Sequence, residues 1–309
     1  IPYYPEEERK SLICLENEIC DELTANGVFH IFANSFLVEC GKTKFTAETR
    51  FAALSTDRGK EHGFATVISN QDTVQKKALY PDGKKSLELL HQNQQELKRR
   101  GIGCVDEKLL DDAIEMPFVK GKTLIDYLKE LFRKEELAQI KEIFEQLFQV
   151  IQSSSEEVSF AECAIKDNRL TEENAGVILK NAYIDMIPYN CFYDGKKFFF
   201  YDQEFVKQYF PAKYVLFRAL RYTYIYVPEA DSILPLQYFK DEYALTKIWP
   251  VFEEVEARFI EDNRNYDMLG AFYKWAGVSP REVDANIERF GKEDRTETKV
   301  RVPFRRHRY

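Results

Sequence analysis

Apolar and polar side chains begin to alternate regularly near residue 44 of this chain. A two-residue period is typical of half-buried strands, and three segments show it, at residues 46–54, 64–68 and 73–80. Polar turns separate them. Residues 86–100 carry leucines at helical spacing and predict one helix after the third strand. The pattern therefore predicts a small β-rich unit with a single helix.

The period changes to that of helices after an extended connector at residues 116–121. Thr123 is a suitable N-cap for a helix that reaches Phe132. Further helices are expected at residues 135–152, 214–227, 236–245, 248–275 and 280–290. We therefore expect an α+β protein with two lobes, a β-rich N-lobe at residues 44–118 and a larger helical C-lobe at residues 119–290.

The two ends of the chain fall outside this pattern. Residues 1–43 form a leader with a charged, helix-like start and two strand-like segments, and residues 291–309 form a basic tail that we expect to be solvated. Because the sequence starts with Ile1 and shows no signal peptide, we expect it to be a piece cut from a longer protein.

Composition excludes several classes of function. The 309 residues carry a net charge of −8, which disfavours a general nucleic-acid-binding protein. No apolar run approaches the roughly 20 residues that span a bilayer, so no transmembrane segment is expected. Six scattered cysteines without a C-x-x-C pair argue against a zinc site and a disulfide framework, and favour a cytoplasmic location. The 24 Phe and 18 Tyr predict a bulky core, with a sugar-binding platform as the alternative.

The most informative motif is a set of three polar residues. Asp185 and Asn190 lie five positions apart, and Asp202 follows twelve positions later. Between them, an Asp-Gly turn at 194–195 joins two short strand patterns, which predicts a hairpin. This is the spacing with which kinases transfer phosphoryl groups from Mg-ATP: the first Asp orients the acceptor hydroxyl or takes its proton, and the other two residues hold the metal. An Asp-Gly hairpin in an unrelated fold remains the plain alternative.

A kinase site also needs a lysine on the phosphates and a carboxylate to orient it. In the third strand Lys76 is favoured over Lys77, because it shares a face with Val74. On the following helix Glu88 is preferred over Glu96 as the partner carboxylate. Surface lysines and solvated helix glutamates are the alternative interpretation of these residues.

Two loops complete the candidate nucleotide site. The polar turn at 56–63 contains Gly59 and Gly63, whose backbone N–H groups are candidates for covering phosphates. In the connector, the carbonyl of Pro117 and the N–H of Val119 are candidates for bonding an adenine edge, with Met116 at the back of the pocket. A plain interlobe linker would have the same composition.

The chain resembles the kinase-like superfamily, and is closer to small-molecule and sugar kinases of the aminoglycoside phosphotransferase type than to protein kinases. The resemblance covers roughly residues 30–230 and is carried by the connector at 116–124, by Asp185 to Asn190, and by the D-x-E motif at 202–204. It is strongest to the kinase half of bacterial proteins that join a methyltransferase to a kinase-like domain in cell-surface polysaccharide assembly. Residues 32–39 look similar to the end of such a methyltransferase half.

The resemblance implies a two-lobed protein-kinase-like fold, ATP and Mg²⁺ as cofactors, Asp185 as catalytic base, Asn190 and Asp202 as metal ligands and Lys76 on the phosphates. It also implies a sugar or glycan acceptor and a methyltransferase domain as partner. Two features depart from the family: Tyr183 stands where kinases usually carry His, and the glycine turn is not standard. An active phosphotransferase is therefore weighed against a pseudokinase that binds nucleotide or a partner enzyme without chemistry.

Overall fold

The computed structural model describes residues 48–265 apart from position 56, together with positions 23, 25–28, 42 and 267. Residues Glu48–Tyr266 form one compact unit, and the two ends of the chain form a second unit. The basic tail, the helix predicted at 280–290 and all but a few positions of the leader lie outside the described residues. The lobe boundary at residue 118 stays a prediction.

The first part of the described range contains five strands: β1 Thr49–Leu54, β2 Phe64–Ser69, β3 Thr73–Ala78, β4 Lys108–Leu109 and β5 Ala113–Pro117. They form an antiparallel sheet in the order β1-β2-β3-β5-β4. Strands β1, β2 and β3 match the predicted strands within a few residues, and β4 and β5 are additional. The expected connector at 116–121 thus begins inside β5, since Pro117 pairs with Thr73 of β3.

Helix α1, Gly83–Arg99, packs on this sheet. Its buried side chains Leu87 and Leu90 form a small core with Phe64 of β2 and Ile114 of β5. Gln94 and Leu97 extend the same buried face, so the helical spacing of its apolar residues decides which side of α1 meets the sheet.

The second part of the described range is mainly helical. Thr123 caps α2 as predicted, because its hydroxyl accepts a hydrogen bond from the N–H of Asp126. The helices are α2 Leu124–Arg133, α3 Leu137–Ser153, α4 Glu172–Ala175, α5 Ala212–Tyr226, α6 Ala230–Ile233, α7 Leu236–Glu242 and α8 Trp249–Asn263. Many of the aromatic residues lie in one large core between them, where Phe217 packs edge-on against Trp249 with ring centroids 4.6 Å apart. The described part of the chain contains no helix long and apolar enough to cross a membrane.

Two small sheets lie among these helices. The expected hairpin is present: β8, Cys191–Tyr193, pairs with β9, Phe198–Phe200. Gly195 in its turn has φ +94°, a conformation that favours glycine. The other sheet has the order β10-β7-β6 and was not predicted; its strands are β6 Glu157–Val158, β7 Ile178–Tyr183 and β10 Val206–Pro211.

The segment after α1 runs beside the hairpin and positions it. The N–H of Phe200 donates to the carbonyl of Gly103, and the N–H of Val105 donates to the carbonyl of Phe200, both at 2.9 Å. The backbones approach so closely that a Cβ on Gly103 would lie 2.3 Å from the carbonyl oxygen of Phe198. Only glycine fits this position, and the strand that leads to Asp202 depends on it.

We predict that Gly103→Ala lowers the free energy of unfolding by about 1–3 kcal/mol, the usual cost of forcing extra volume into packed structure. Urea denaturation measures it. Gly121→Ala is the matched control, because its Cβ would meet only a Val119 side-chain carbon at 3.5 Å. Equal stability of the two variants would contradict the close approach.

Candidate active site

A buried lysine joins the five-stranded sheet to the segment that follows the hairpin. The ammonium nitrogen of Lys76 lies 2.5 Å from Oδ1 of Asp202 and 2.8 Å from Oε2 of Glu204. Lys77, the next residue, is exposed. The alternation along β3 therefore selects Lys76, as the sequence predicted. Burial alone would lower the pKa of Lys76, but the two carboxylates outweigh it and the pKa is raised.

The prediction that Glu88 or Glu96 of helix α1 pairs with Lys76 is wrong. Glu88 is exposed, and Glu96 pairs with Arg99 and Arg100 of its own helix. Leu87 and its helical neighbours occupy the face of α1 that meets the sheet, so Glu88, one position on, points elsewhere. The carboxylates of Asp202 and Glu204 take the place that the sequence assigned to a helix glutamate.

Glu204 is the centre of a cluster formed by Lys76, Arg58 and His62. Besides Lys76, Nδ1 of His62 lies 2.7 Å and Nη1 of Arg58 3.3 Å from its carboxylate oxygens. Burial favours the neutral acid, but Lys76, His62 and Arg58 prevail and hold the pKa of Glu204 at about 2. Glu204 is therefore ionised at neutral pH.

The glycine turn contributes to this cluster. Residues Lys60–His62 form a 3₁₀ turn between Gly59 and Gly63, and Arg58 precedes it. The turn therefore lies beside Glu204, which His62 and Arg58 contact. Contact between the N–H groups of the turn and a phosphate stays a prediction. Arg58 and His62 were not among the residues predicted from the sequence, where their place in a glycine-bearing turn is the signal that points to them. Glu204 belongs to the D-x-E motif but had no predicted role.

The connector after β5 is where the sequence predicted adenine contacts. Met116 pairs with Val74 in the sheet, and the N–H of Phe118 donates to the carbonyl of Asp72 at 2.8 Å. Within the described residues the N–H of Val119 has no hydrogen bond partner. It is a suitable donor for an adenine edge, and the assignments of Met116, Pro117 and Val119 stay predictions.

The three motif residues line one cavity of about 230 Å³. Asp185, Asn190 and Asp202 lie in its wall with Arg58 and Glu204, and the remaining lining residues are Ile187, Tyr189, Phe205, Arg218, Tyr222 and Tyr226. The hairpin therefore brings the predicted residues to one place.

Asp202 and Asn190 have local geometries that suit ligands. Asp202 has φ +56°, a left-handed conformation uncommon for residues other than Gly, Asn and Asp. Its side chain is about one-third exposed despite the ion pair with Lys76. The side-chain nitrogen of Asn190 donates to the carbonyl of Asp185 at 3.4 Å, so the amide oxygen is the atom that could bind a metal.

The expectation that the carboxylate of Asp185 is free of salt bridges is wrong. Asp185 is only 7% exposed, and Oδ1 lies 3.2 Å from Nη1 of Arg218. Oδ2 accepts the N–H of Phe205 at 2.8 Å. Burial raises the pKa of Asp185 to about 6, against the opposing effects of Arg218 and the Phe205 N–H. Helix α5, which carries Arg218, was predicted, but its packing beneath this loop was not.

Arg218 is itself the centre of a buried network. Its Nε donates to Glu256 of α8 at 2.9 Å, and Nη1 donates to the carbonyl of Ile184. Glu256, fully buried, also accepts the hydroxyls of Tyr214 at 2.7 Å and Tyr222 at 2.8 Å. Each charge in this network has a partner, so the loop that carries Asp185 is held from below by two helices.

We predict that Arg218→Met lowers the free energy of unfolding by about 3–5 kcal/mol, since removing one partner leaves buried carboxylates without compensation. Arg221→Met is the matched control: it lies one turn further along α5 and pairs with the partly exposed Glu253. That pair should contribute less than about 1 kcal/mol. Chemical denaturation compares the variants, and equal losses would refute the special role of Arg218.

A buried acid lies behind the site. The side chain of Glu107 is fully buried; its Oε1 lies 2.9 Å from Nδ1 of His91, and its Oε2 has no hydrogen-bond partner within the described residues. Burial raises the pKa of Glu107 to about 8. Burial also lowers the pKa of His91. Both groups are therefore mainly neutral at pH 7. Asp202 and Lys76 lie close enough to Glu107 for their charges to act on it.

This acid makes stability depend on pH. Its folded pKa of about 8 lies above the ordinary 4.5, so between these values the folded chain binds more protons and stability falls as pH rises. In Glu107→Gln, the free energy of unfolding should decrease less steeply with pH than in the parent protein, by up to about 1.4 kcal/mol per pH unit. Urea denaturation across this range tests it, with the exposed Glu88→Gln as control. Parallel curves for Glu107→Gln and the parent protein would contradict the buried acid.

The donor set fits a magnesium ion that arrives with a nucleotide. No group of three or more His, Cys, Asp and Glu side chains able to hold a metal occurs within the described residues. Mg²⁺ is commonly bound through one or two carboxylates together with substrate phosphates and water. Asp202 and the amide oxygen of Asn190 supply such oxygens, with the ionised Glu204 beside them.

Comparison with known proteins does not assign the chain to a family. No family model matches it, and no curated protein matches it significantly. Its function is therefore inferred from the geometry of this site.

Proposed function

We propose that this chain has a two-lobed, kinase-like fold and is an ATP-dependent phosphotransferase whose acceptor is a hydroxyl of a sugar or polysaccharide. The observation that carries the proposal is the convergence of Lys76, Asp202 and Glu204, with Asn190 and Asp185 in the wall of the same cavity. Phosphoryl transfer needs a cation on the phosphates, oxygen ligands for a metal and an acceptor-orienting group. These residues provide all three kinds of group.

Each side chain then has a definite task. Lys76 holds the phosphates, Arg58 adds positive charge from the glycine turn, and His62 adds a ring nitrogen that can donate a hydrogen bond. Asp202 and Asn190 hold Mg²⁺. When bound, the metal offsets the charge that develops on the transferred phosphoryl group. The N–H of Val119, at the end of the sheet, bonds the adenine.

Asp185 is proposed to orient the acceptor hydroxyl. Each of its two oxygens already accepts one hydrogen bond, but a carboxylate oxygen has two acceptor positions, so one remains on each. With a pKa of about 6, the group is mainly ionised at pH 7. Positioning contributes more than proton removal in this kind of reaction, so a paired carboxylate is compatible with the role.

One observation favours a second candidate, a pseudokinase module that binds nucleotide without chemistry. The occupied oxygens of Asp185 suit a residue that holds a loop in place, as its contacts with Arg218 and Phe205 do. In this role the chain would regulate a partner enzyme. The acceptor class, the methyltransferase partner and a place in bacterial surface-polysaccharide assembly come from the resemblance alone. A cytoplasmic location is proposed because the reaction consumes ATP.

The metal assignment is tested by Asp202→Asn. Asn tolerates the left-handed backbone at this position but lacks the negative charge. We expect Mg-ATP affinity to fall about 10- to 100-fold, the range seen when even outer-shell metal partners are lost. Calorimetry with and without chelator measures it, and Asp111→Asn, whose side chain is 90% exposed, is the control. Unchanged affinity in Asp202→Asn would refute the assignment.

Asp185→Asn separates the two candidate functions. For a phosphotransferase we expect turnover of labelled ATP with sugar acceptors to fall by about 10²–10⁴, the contribution typical of a general base, while Mg-ATP affinity is kept. A wild-type chain that binds Mg-ATP but transfers phosphate to no glycan and not to water would support the pseudokinase instead.

A further inference from the structure

Gln203 is the fully buried middle residue of the D-x-E motif. Its neighbours Asp202 and Glu204 line the cavity of the candidate active site, whereas Gln203 does not. No role was predicted for it from the sequence. Because an amide that is buried without hydrogen bonds costs free energy, the partners of this side chain show which parts of the site it holds together.

The side chain of Gln203 bridges two backbone segments. Its nitrogen Nε2 donates to the carbonyl of Asp185 at 3.0 Å and to the carbonyl of Tyr201 at 2.8 Å. An amide nitrogen carries two hydrogens, so this pair of bonds uses both. A carbonyl only accepts, so the nitrogen and not the oxygen of the amide must face these partners. Gln203 therefore connects the loop after β7 to the residue that precedes Asp202.

The main chain of Gln203 is also held by helix α1. The side-chain nitrogen of Asn93 donates to the carbonyl of Gln203 at 2.9 Å. Helix α1 itself packs on the sheet that carries Lys76. Residue 203 is thus anchored to α1 through its backbone and to the Asp185 loop through its side chain, so it cannot rotate away without losing hydrogen bonds to both.

One backbone oxygen joins the segments that the proposed reaction needs. The carbonyl of Asp185 accepts the amide of Gln203 and, at 3.4 Å, the amide of Asn190. Asn190 is one proposed metal ligand, and Gln203 directly follows the other, Asp202. These two ligands stand before and after the β8–β9 hairpin. Both ends of the hairpin are therefore tied to the same oxygen of the Asp185 backbone.

The placement of Asp185 relative to Asp202 matters for phosphoryl transfer. In the proposed function the first carboxylate orients the acceptor, and the second holds the metal that binds the phosphates. The two residues lie on separate segments, and a misplacement of about 1 Å can lower a rate about 10²-fold. The contact between the segments therefore has to be rigid, and a buried amide with both hydrogens bonded supplies such a contact.

We propose that Gln203 is a positioning residue, which fixes the backbone of Asp185 relative to Asp202 and so sets the distance between acceptor and metal. The assignment rests on the proposed phosphotransferase function. Gln203 acts through the two aspartates and contacts no substrate, because it lies behind the wall of the cavity. The hydrogen bonds of its side chain, and not only its volume, carry the role.

Gln203→Met tests this proposal against a matched control, Gln94→Met. Gln94 is also fully buried and donates its side-chain nitrogen to a backbone carbonyl, that of Val105 at 3.0 Å. Within the described residues, the side-chain oxygens of both glutamines have no hydrogen-bond partner. Both variants lose a buried amide, so both can lose stability. Only Gln203→Met should lower kcat for labelled ATP, by about 10- to 100-fold, the effect of removing a group that supports metal ligands. Its Mg-ATP affinity, measured by calorimetry, should stay near the wild-type value.

Gln203→Glu keeps the volume of the side chain and replaces its nitrogen by oxygen. A protonated carboxyl donates one hydrogen bond to the carbonyls that Gln203 faces, whereas an ionised carboxylate donates none. Burial favours the protonated form, and a sufficiently high pH ionises the group. The kcat of this variant relative to the wild type should therefore fall as pH rises, while the same ratio for Gln203→Met stays constant.

The outcomes separate this proposal from the proposed function. A lower kcat at retained Mg-ATP affinity in Gln203→Met alone supports the positioning role. Equal kcat values of Gln203→Met and Gln94→Met overturn it, and so does a pH-independent ratio for Gln203→Glu, the variant that remains if Gln203→Met does not fold. A wild-type chain without turnover overturns the phosphotransferase instead. Amide exchange then decides the contact: the N–H of Phe205, which donates to Asp185, should exchange faster in Gln203→Met than in Gln94→Met, and equal rates overturn the positioning role.

Discussion

The cost of burying charge constrains the whole candidate site. Arg218 is almost fully buried, and such a charge is stable only when its partners surround it. Its partners are Glu256 on one helix, and the carbonyl of Ile184 and the carboxylate of Asp185 on one loop. The loop that carries Asp185 and Asn190 therefore cannot shift without exposing or orphaning a charge.

The same constraint extends to the sheet. Asp185 accepts the N–H of Phe205, which directly follows Glu204, and Glu204 binds Lys76 on β3. A continuous polar path thus runs from helix α8 to the five-stranded sheet. The path passes through Asp185 and reaches Asp202 through Lys76, so these walls of the cavity are preorganised by contacts that themselves stabilise the fold.

The charge balance of the cleft bears on ligand binding. Glu204 contacts the cations Lys76 and Arg58 and the ring of His62, and Lys76 is shared between Glu204 and Asp202. A phosphate group that enters the cleft competes with these carboxylates for the cations, while a metal ion competes with the cations for the carboxylates. Under the proposed function, a metal and a nucleotide that bind together would give both the cations and the carboxylates a partner of opposite charge. Either ligand alone would leave one of the two sets without such a partner.

Local pattern alone predicted strands β1 to β3, the β8–β9 hairpin and helices α1 to α3, α5, α7 and α8, because periodicity and the Asp-Gly turn act within a few residues. It also selected Lys76 over Lys77, since alternation along a strand is a local property. Strand β7 escaped detection because most of its side chains are buried and no alternation marks it.

Only the tertiary structure decided the partners of the charged residues. Glu204 lies 128 residues from Lys76 and Arg218 lies 33 from Asp185, separations over which sequence spacing carries no information about contact. The sequence by itself determined which side chains could carry the chemistry and which strand and hairpin would present them. The fold decided that Glu204 rather than Glu88 binds Lys76, and that Asp185 pairs with Arg218. Desolvation makes a buried charge costly unless it is paired, so each charge pairs with a group that the packing of distant elements brings within reach.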